Sequence, residues 1–218
     1  MSEIEIIRAS VAITDIFVFI GCVWGLRALS KLTPVRKNLY QNYIALFTSV
    51  AMAALAGAIQ HQWFEEATDF WGTLPRFFVM ISIGYAAFNL WQIAFELVAK
   101  GAMLLRLKKL FKVILYGYIG AVVLFEQKFY LALGFYVPAV FFFLGVAIYR
   151  YTKHDEKLHG WAIAGLLVTI VAASIQAFQV TLIPVYIPPS SFYHLVQLHG
   201  IYLLYRHAKG CVSWLPNQ

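Results

Sequence analysis

WAIAGLLVTIVAASIQAFQVTL, residues 161–182, runs for twenty-two positions without an Asp, Glu, Lys or Arg. A helix rising about 1.5 Å per residue needs roughly 20 such residues to cross a bilayer's hydrocarbon layer. Six other apolar segments of similar length lie at about 11–29, 42–63, 77–99, 109–125, 129–149 and 190–207. None reads as an alternating strand pattern. The sequence therefore predicts an all-α integral membrane bundle of seven transmembrane helices, in a single domain over 1–218.

The whole chain agrees with that stretch. Its 218 residues are 61% hydrophobic and 12% charged, with a mean hydropathy of +0.73. A soluble domain carries roughly a quarter charged residues and interrupts its apolar runs every few positions. The fourth and fifth segments are separated only by Glu126, Gln127 and Lys128, so they form an antiparallel hairpin if both cross. The count is then seven; it is six if they do not.

Charge placement gives the orientation. Lys and Arg accumulate in short cytoplasmic loops, and with seven crossings fourteen of the seventeen basic residues fall on one side. Only Arg8, Arg76 and Lys128 fall on the other. A miscounted helix would scramble this division, because every later loop would change sides. The expected topology has the amino end outside and the carboxyl end cytoplasmic, in a plasma or bacterial inner membrane. The net charge of +7 is thus a record of membrane orientation and predicts no nucleic-acid partner. Met1–Ser10 lacks the basic start and small-residue cleavage site of a secretory signal, so the first helix is expected to be retained. Two cysteines, Cys22 and Cys211, predict no disulfide framework.

Ionisable groups at membrane depth are costly, and each is a candidate site. Asp15, Gln60, His61, Asp69, Gln176, Tyr193, His194 and Gln197 come from distant parts of the sequence yet share the outer level of the predicted bundle. Ala54, Gly57 and Ala58 precede His61 by seven, four and three residues, so they share its face and turn it towards other helices. The same small-residue faces could pair two copies of the chain. His194 and Gln197 share a face, whereas His199 points roughly 140° away. Asp15 reads either as a buried acid or as a favourable charge near a helix amino end. Asn89, Gln92 and Glu96 line one face of the third helix, as a polar path or as an interhelical network. His154, His159 and His207 lie among basic residues and are expected to be solvated.

Several chemistries are excluded. No mid-helix lysine near the carboxyl end could carry a retinal Schiff base, since Lys209 lies past the predicted helix. No GxxxxGK[ST], HExxH or GxSxG motif occurs.

Two stretches, GAIQHQWFEEATD at 57–69 and SSFYHLVQLHGIYLL at 190–204, carry a resemblance. With seven helices and an outside amino end, the chain resembles the superfamily of alkaline ceramidases and progestin and adiponectin receptors, as a divergent bacterial branch. The resemblance implies zinc held by His61 and His194, with Asp69 the weaker match to the family's acid. Ser190 stands where the family's HxxxH pair has its first His, and Gly57 where it has Ser. Asp15, Asp69 or Gln197 is left to complete the ligand set.

The function expected is a hydrolase-like membrane protein, zinc-dependent if the metal is held, with an outer pocket for a membrane lipid or other amphiphile. Asp15 and Asp69 would act as catalytic groups and Gln60, Gln176, Tyr193 and Gln197 as ligand contacts. Without metal the pocket would bind or sense a lipid. A small channel or proton-coupled carrier using Asn89, Gln92 and Glu96 is the reading from another class.

Overall fold

The computed structural model describes residues 2–66, 69–124, 129–153 and 156–213. Glu126, Gln127, Lys128 and His154, singled out above, lie outside the described residues. Among the described residues there are seven α-helices and no strand: α1 (Glu3–Leu29), α2 (Lys37–Trp63), α3 (Phe70–Val98), α4 (Gly101–Leu124), α5 (Phe129–Lys153), α6 (Gly160–Ala177) and α7 (Pro189–Ser213). A single 3-10 turn, Lys157–His159, leads into α6.

Five of these helices are long and apolar enough to cross a membrane: α1, α2, α3, most of α5, and α6 with its leading turn. The other two fall short for visible reasons. Arg106, Lys108, Lys109 and Lys112 occupy the first half of α4, and α7 carries His194, Gln197, His199, Arg206, His207 and Lys209.

Helix ends follow local chemistry. Ser2 caps α1 in a reciprocal capping box with Glu5. Asp69 caps α3, its carboxylate accepting from Gly72 N–H at 2.8 Å. Between α3 and α4 the chain turns through Gly101 at φ +55°, a conformation that favours glycine. The sequence carries α6 on to 182, but it stops at Ala177 in a Schellman motif. Val180 N–H donates to Ile175 O at 2.9 Å and Gln179 N–H to Gln176 O at 3.3 Å, with Gln179 at φ 54°. Apolar composition marked the run, but this polar glutamine ends the helix. Ser190 and Ser191 lie inside α7. The helix begins at Pro189, whose missing N–H costs nothing at that position.

Six helices close a ring, α1–α2–α3–α5–α6–α7 and back to α1, with α2 also reaching α7; α4 lies outside it against α3 and touches α5 slightly. The core runs through the ring, with Cys22, Leu29, Tyr43, Ala87, Ile93, Phe143, Ala147 and Ala162 all but inaccessible. Small residues set the close crossings. A methyl group on Gly165 would stand 3.1 Å from Gly200 O, and one on Gly200 would stand 3.0 Å from Thr169 Oγ1, so α6 and α7 meet nearly backbone to backbone. Ala54, Gly57 and Ala58 are buried inside the chain, so this face of α2 is taken up within one copy.

Both ends are tied by polar contacts. At one end Arg8 of α1 pairs with Glu65 at 3.2 Å and with Glu66, beyond α2. At the basic end Val35 N–H donates to Val212 O at 3.1 Å, Arg36 donates to Glu96 O at 3.0 Å, and Glu96 pairs with Lys108.

Candidate functional site

Near the Arg8 end, α1 and α7 bring two of the sequence candidates together. Asp15 Oδ1 lies 3.2 Å from His194 Nε2, with the Asp15 side chain 6% and the His194 side chain 14% exposed. Thr14 Oγ1 lies 3.3 Å from the other ring nitrogen, so consecutive residues of α1 hold both sides of the imidazole. The Thr14 hydroxyl is also bonded to Ser10 O and Val11 O, which makes it a positioning group. Gly57 of α2 closes the site from a third side, within van der Waals reach of the carboxylate. Asp15 Oδ2 is buried there without a hydrogen-bond partner. The Tyr193 ring lies 4.8 Å from the His194 ring, centroid to centroid, tilted at 57°.

Most of the remaining candidates are engaged elsewhere. His61 faces its own neighbour Glu65 at 3.6 Å. Asp69 is exposed and occupied as a helix cap, because an acid before a helix start meets unpaired backbone N–H groups first. Gln60 turns back to Phe64 O at 2.6 Å, and Gln197 reaches Thr169 on α6 at 3.4 Å. Gln60, Gln176 and Gln197 each retain a buried oxygen without a partner. On α3, Asn89 donates to Tyr85 O at 2.7 Å, Gln92 is buried with an unbonded amide nitrogen, and Glu96 is held by Lys108. These three line one face, but they are engaged in different ways.

The basic end holds a denser cluster. Tyr43 Oη lies 2.6 Å from His207 Nδ1, and His207 Nε2 lies 2.8 Å from His159 Nδ1. His159 Nε2 lies 2.9 Å from Glu156 Oε2, and Arg150 clamps both Glu156 oxygens, at 2.9 and 2.5 Å. Cys211 Sγ sits 3.1 Å from His207 Nε2. Tyr43 and His207 are 0% exposed, and His159 and Cys211 1%. The expectation that His159 and His207 are solvated is therefore corrected. Their basic neighbours in sequence, Lys157, Arg206 and Lys209, lie in the 3-10 turn and on other faces of α7, while the two rings turn inward between α2, α6 and α7.

His159, His207 and Cys211 place three donor atoms within 4.8 Å of one another, the one such set of His, Cys, Asp or Glu among the described residues. The outer pair His61 and His194 has no such third donor. The geometry suits a metal ion by its outer contacts as well: Glu156 holds the far nitrogen of His159 and Tyr43 that of His207, leaving the inner nitrogens turned on each other and on the thiol. Such partners fix ring orientation in metal sites. A family described as a family of unknown function, DUF6962, matches residues 10–211. The chain belongs to that family. No curated protein and no solved structure matches it significantly. The span matched in this DUF6962 member includes Asp15, His194 and every member of the inner cluster.

The inner cluster had a signal in the sequence. His207 and Cys211 are four apart, on one face of α7. Nothing local points to His159, which the fold delivers from 48 positions away.

Proposed function

We propose that this DUF6962 member is a seven-span membrane protein, amino end outside and carboxyl end cytoplasmic, that holds a zinc-class ion at its cytoplasmic end through His159, His207 and Cys211. One observation carries the reading: two imidazoles, each fixed by a second partner, turn their free nitrogens on each other and on a buried thiol. Two nitrogens and a sulfur are donors that zinc accepts in tetrahedral sites. The spacing, 2.8 Å between the ring nitrogens, asks the rings to part by roughly half an ångström to admit an ion with bonds of about 2.0–2.1 Å. The zinc expected at His61 and His194 moves with this reading to the other end of the bundle.

Three protein donors leave one tetrahedral position for water, which is what a metal hydrolase requires. The hydrolase-like reading of the sequence therefore follows the ion to this cluster. Burial of all three donors favours a closed site that stabilises the α6–α7 end over one open to substrate.

A second reading rests on the same contacts. With one tautomer for each ring, Tyr43 O–H donates to His207, His207 N–H to His159 and His159 N–H to Glu156, so the chain is complete as a hydrogen-bonded relay. That reading, a proton-handling membrane protein, expects no bound metal.

Metal content of the detergent-purified protein separates the two. About one zinc per chain is expected, lost in His159→Ala with His207→Ala and retained in His61→Ala with His194→Ala. Metal-free wild-type protein, purified without chelator and offered zinc, would sink the metal site and leave the relay.

A further inference from the structure

We infer that the groove between α1 and α7 at the basic end binds an anionic phospholipid, its phosphate on Arg206 and Lys209 and an acyl chain along the helix seam. Two adjoining hollows form the groove, one of about 540 Å³ at the basic end and one of about 310 Å³ beside it. They share Trp24, Tyr202 and Tyr205.

The mouth is built for an anion. Tyr202, Arg206 and Lys209 fall at i, i+4 and i+7 and so occupy one face of α7. Arg206 is held in place: its guanidinium lies 4.3 Å over the Trp161 ring and donates to Tyr202 Oη at 3.2 Å. Among the described residues, neither Arg206 nor Lys209 has a carboxylate in ion-pair range. An oriented guanidinium and an adjacent ammonium, both without an acid, complement a phosphodiester.

The second hollow is apolar, walled by Leu198 and Ile201 and bordered by Gly21, against which Leu198 packs. Leu198 and Lys209 are eleven residues apart, a rise of about 16 Å, close to the ~15 Å of one hydrocarbon leaflet. An occupant that fills both hollows has a negative head and an apolar tail. Free phosphate would leave the second hollow empty. The leaflet, cytoplasmic, rests on the orientation proposed above; the binding does not.

Native mass spectrometry of the purified full chain, titrated with phosphatidylglycerol, phosphatidylcholine or inorganic phosphate, tests this. Retention of phosphatidylglycerol over phosphatidylcholine is expected. Arg206→Gln should weaken it roughly fivefold, and Arg206→Gln with Lys209→Gln roughly 25-fold. Arg106→Gln with Lys109→Gln, the same charge change at the same end outside the groove, should leave it unaltered, and Arg206→Lys, which keeps the charge but loses the fork held over Trp161, should fall between wild type and Arg206→Gln. Gly21→Val, which drives Leu198 into the seam, should weaken binding without altering charge. Equal retention of both lipids, equal loss in the two double variants, or displacement by equimolar inorganic phosphate would overturn the proposal. Lipid selectivity retained while Lys209 labels from outside would uphold the site and overturn the orientation alone.

Discussion

Gly57 meets Asp15 across the α1–α2 contact so closely that a methyl group on Gly57 would stand 3.0 Å from Oδ2 of the carboxylate. The glycine makes room for an acid inside the bundle. Gly57→Ala should push the carboxylate by a few tenths of an ångström and cost about 1–2 kcal/mol. Gly57→Ser should cost less, because its hydroxyl can donate to an oxygen that has no partner. Thermal unfolding in detergent should rank wild type, Gly57→Ser and Gly57→Ala in that order; an Ala variant as stable as wild type would refute the close approach.

Breaking the Asp15–His194 pair on one side should do more damage than removing both members. Asp15→Ala leaves a buried imidazole without its acid, and His194→Ala leaves a buried carboxylate alone. Each should lose about 1–3 kcal/mol, the usual cost of leaving a buried hydrogen-bonding group without its partner. Asp15→Asn with His194→Gln should recover a good part of that. Additive losses across the double-mutant cycle would show that the two groups do not interact.

Gly84 has a sharper constraint. A methyl group there would lie 2.2 Å from Tyr118 Cε1, and the Tyr118 ring is fixed by its hydroxyl on Met80 O at 2.7 Å and by stacking on Phe135. Leu115, Tyr118 and Val122 are the buried residues of α4, so Gly84→Ala should loosen α4 from α3 at a cost of about 1–3 kcal/mol. A cysteine pair across α3 and α4 should crosslink in wild type and lose efficiency in Gly84→Ala, while a pair across α6 and α7 is unchanged.

Membrane sidedness is read by labelling single cysteines with an impermeant thiol reagent on intact cells, in a Cys22→Ser, Cys211→Ser background. Gln62→Cys should label from outside, and Lys109→Cys only after permeabilisation. Labelling of both from the same side would mean an even number of crossings between them.

Residues 161–182 announced an apolar helix by composition alone, and each of the seven predicted segments overlaps a helix, five of which are long and apolar enough to cross a membrane. What composition could not register were the ends: a turn led by Gln179 stopped α6 at Ala177, short of 182. Asp15 and His194 were legible as site candidates because a charge at that depth stands out against apolar neighbours. Their pairing was not, since helix order around a ring leaves no trace in periodicity. His159 and His207 were misjudged for the opposite reason. Polar neighbours in sequence suggested water, but burial is set by the helices packed around a residue.

The Asp15 contact has a consequence for biosynthesis. Thr14 and His194 stand 180 positions apart, and a ribosome working at about 5–20 residues per second needs roughly 10–40 s to cover that distance. Throughout that interval α1 carries an acid whose partner has not yet been made, and the ring cannot close until the last helix arrives. Anything that stalls translation before α7 leaves a six-helix chain with an unanswered carboxylate, a form for membrane quality-control proteases to recognise.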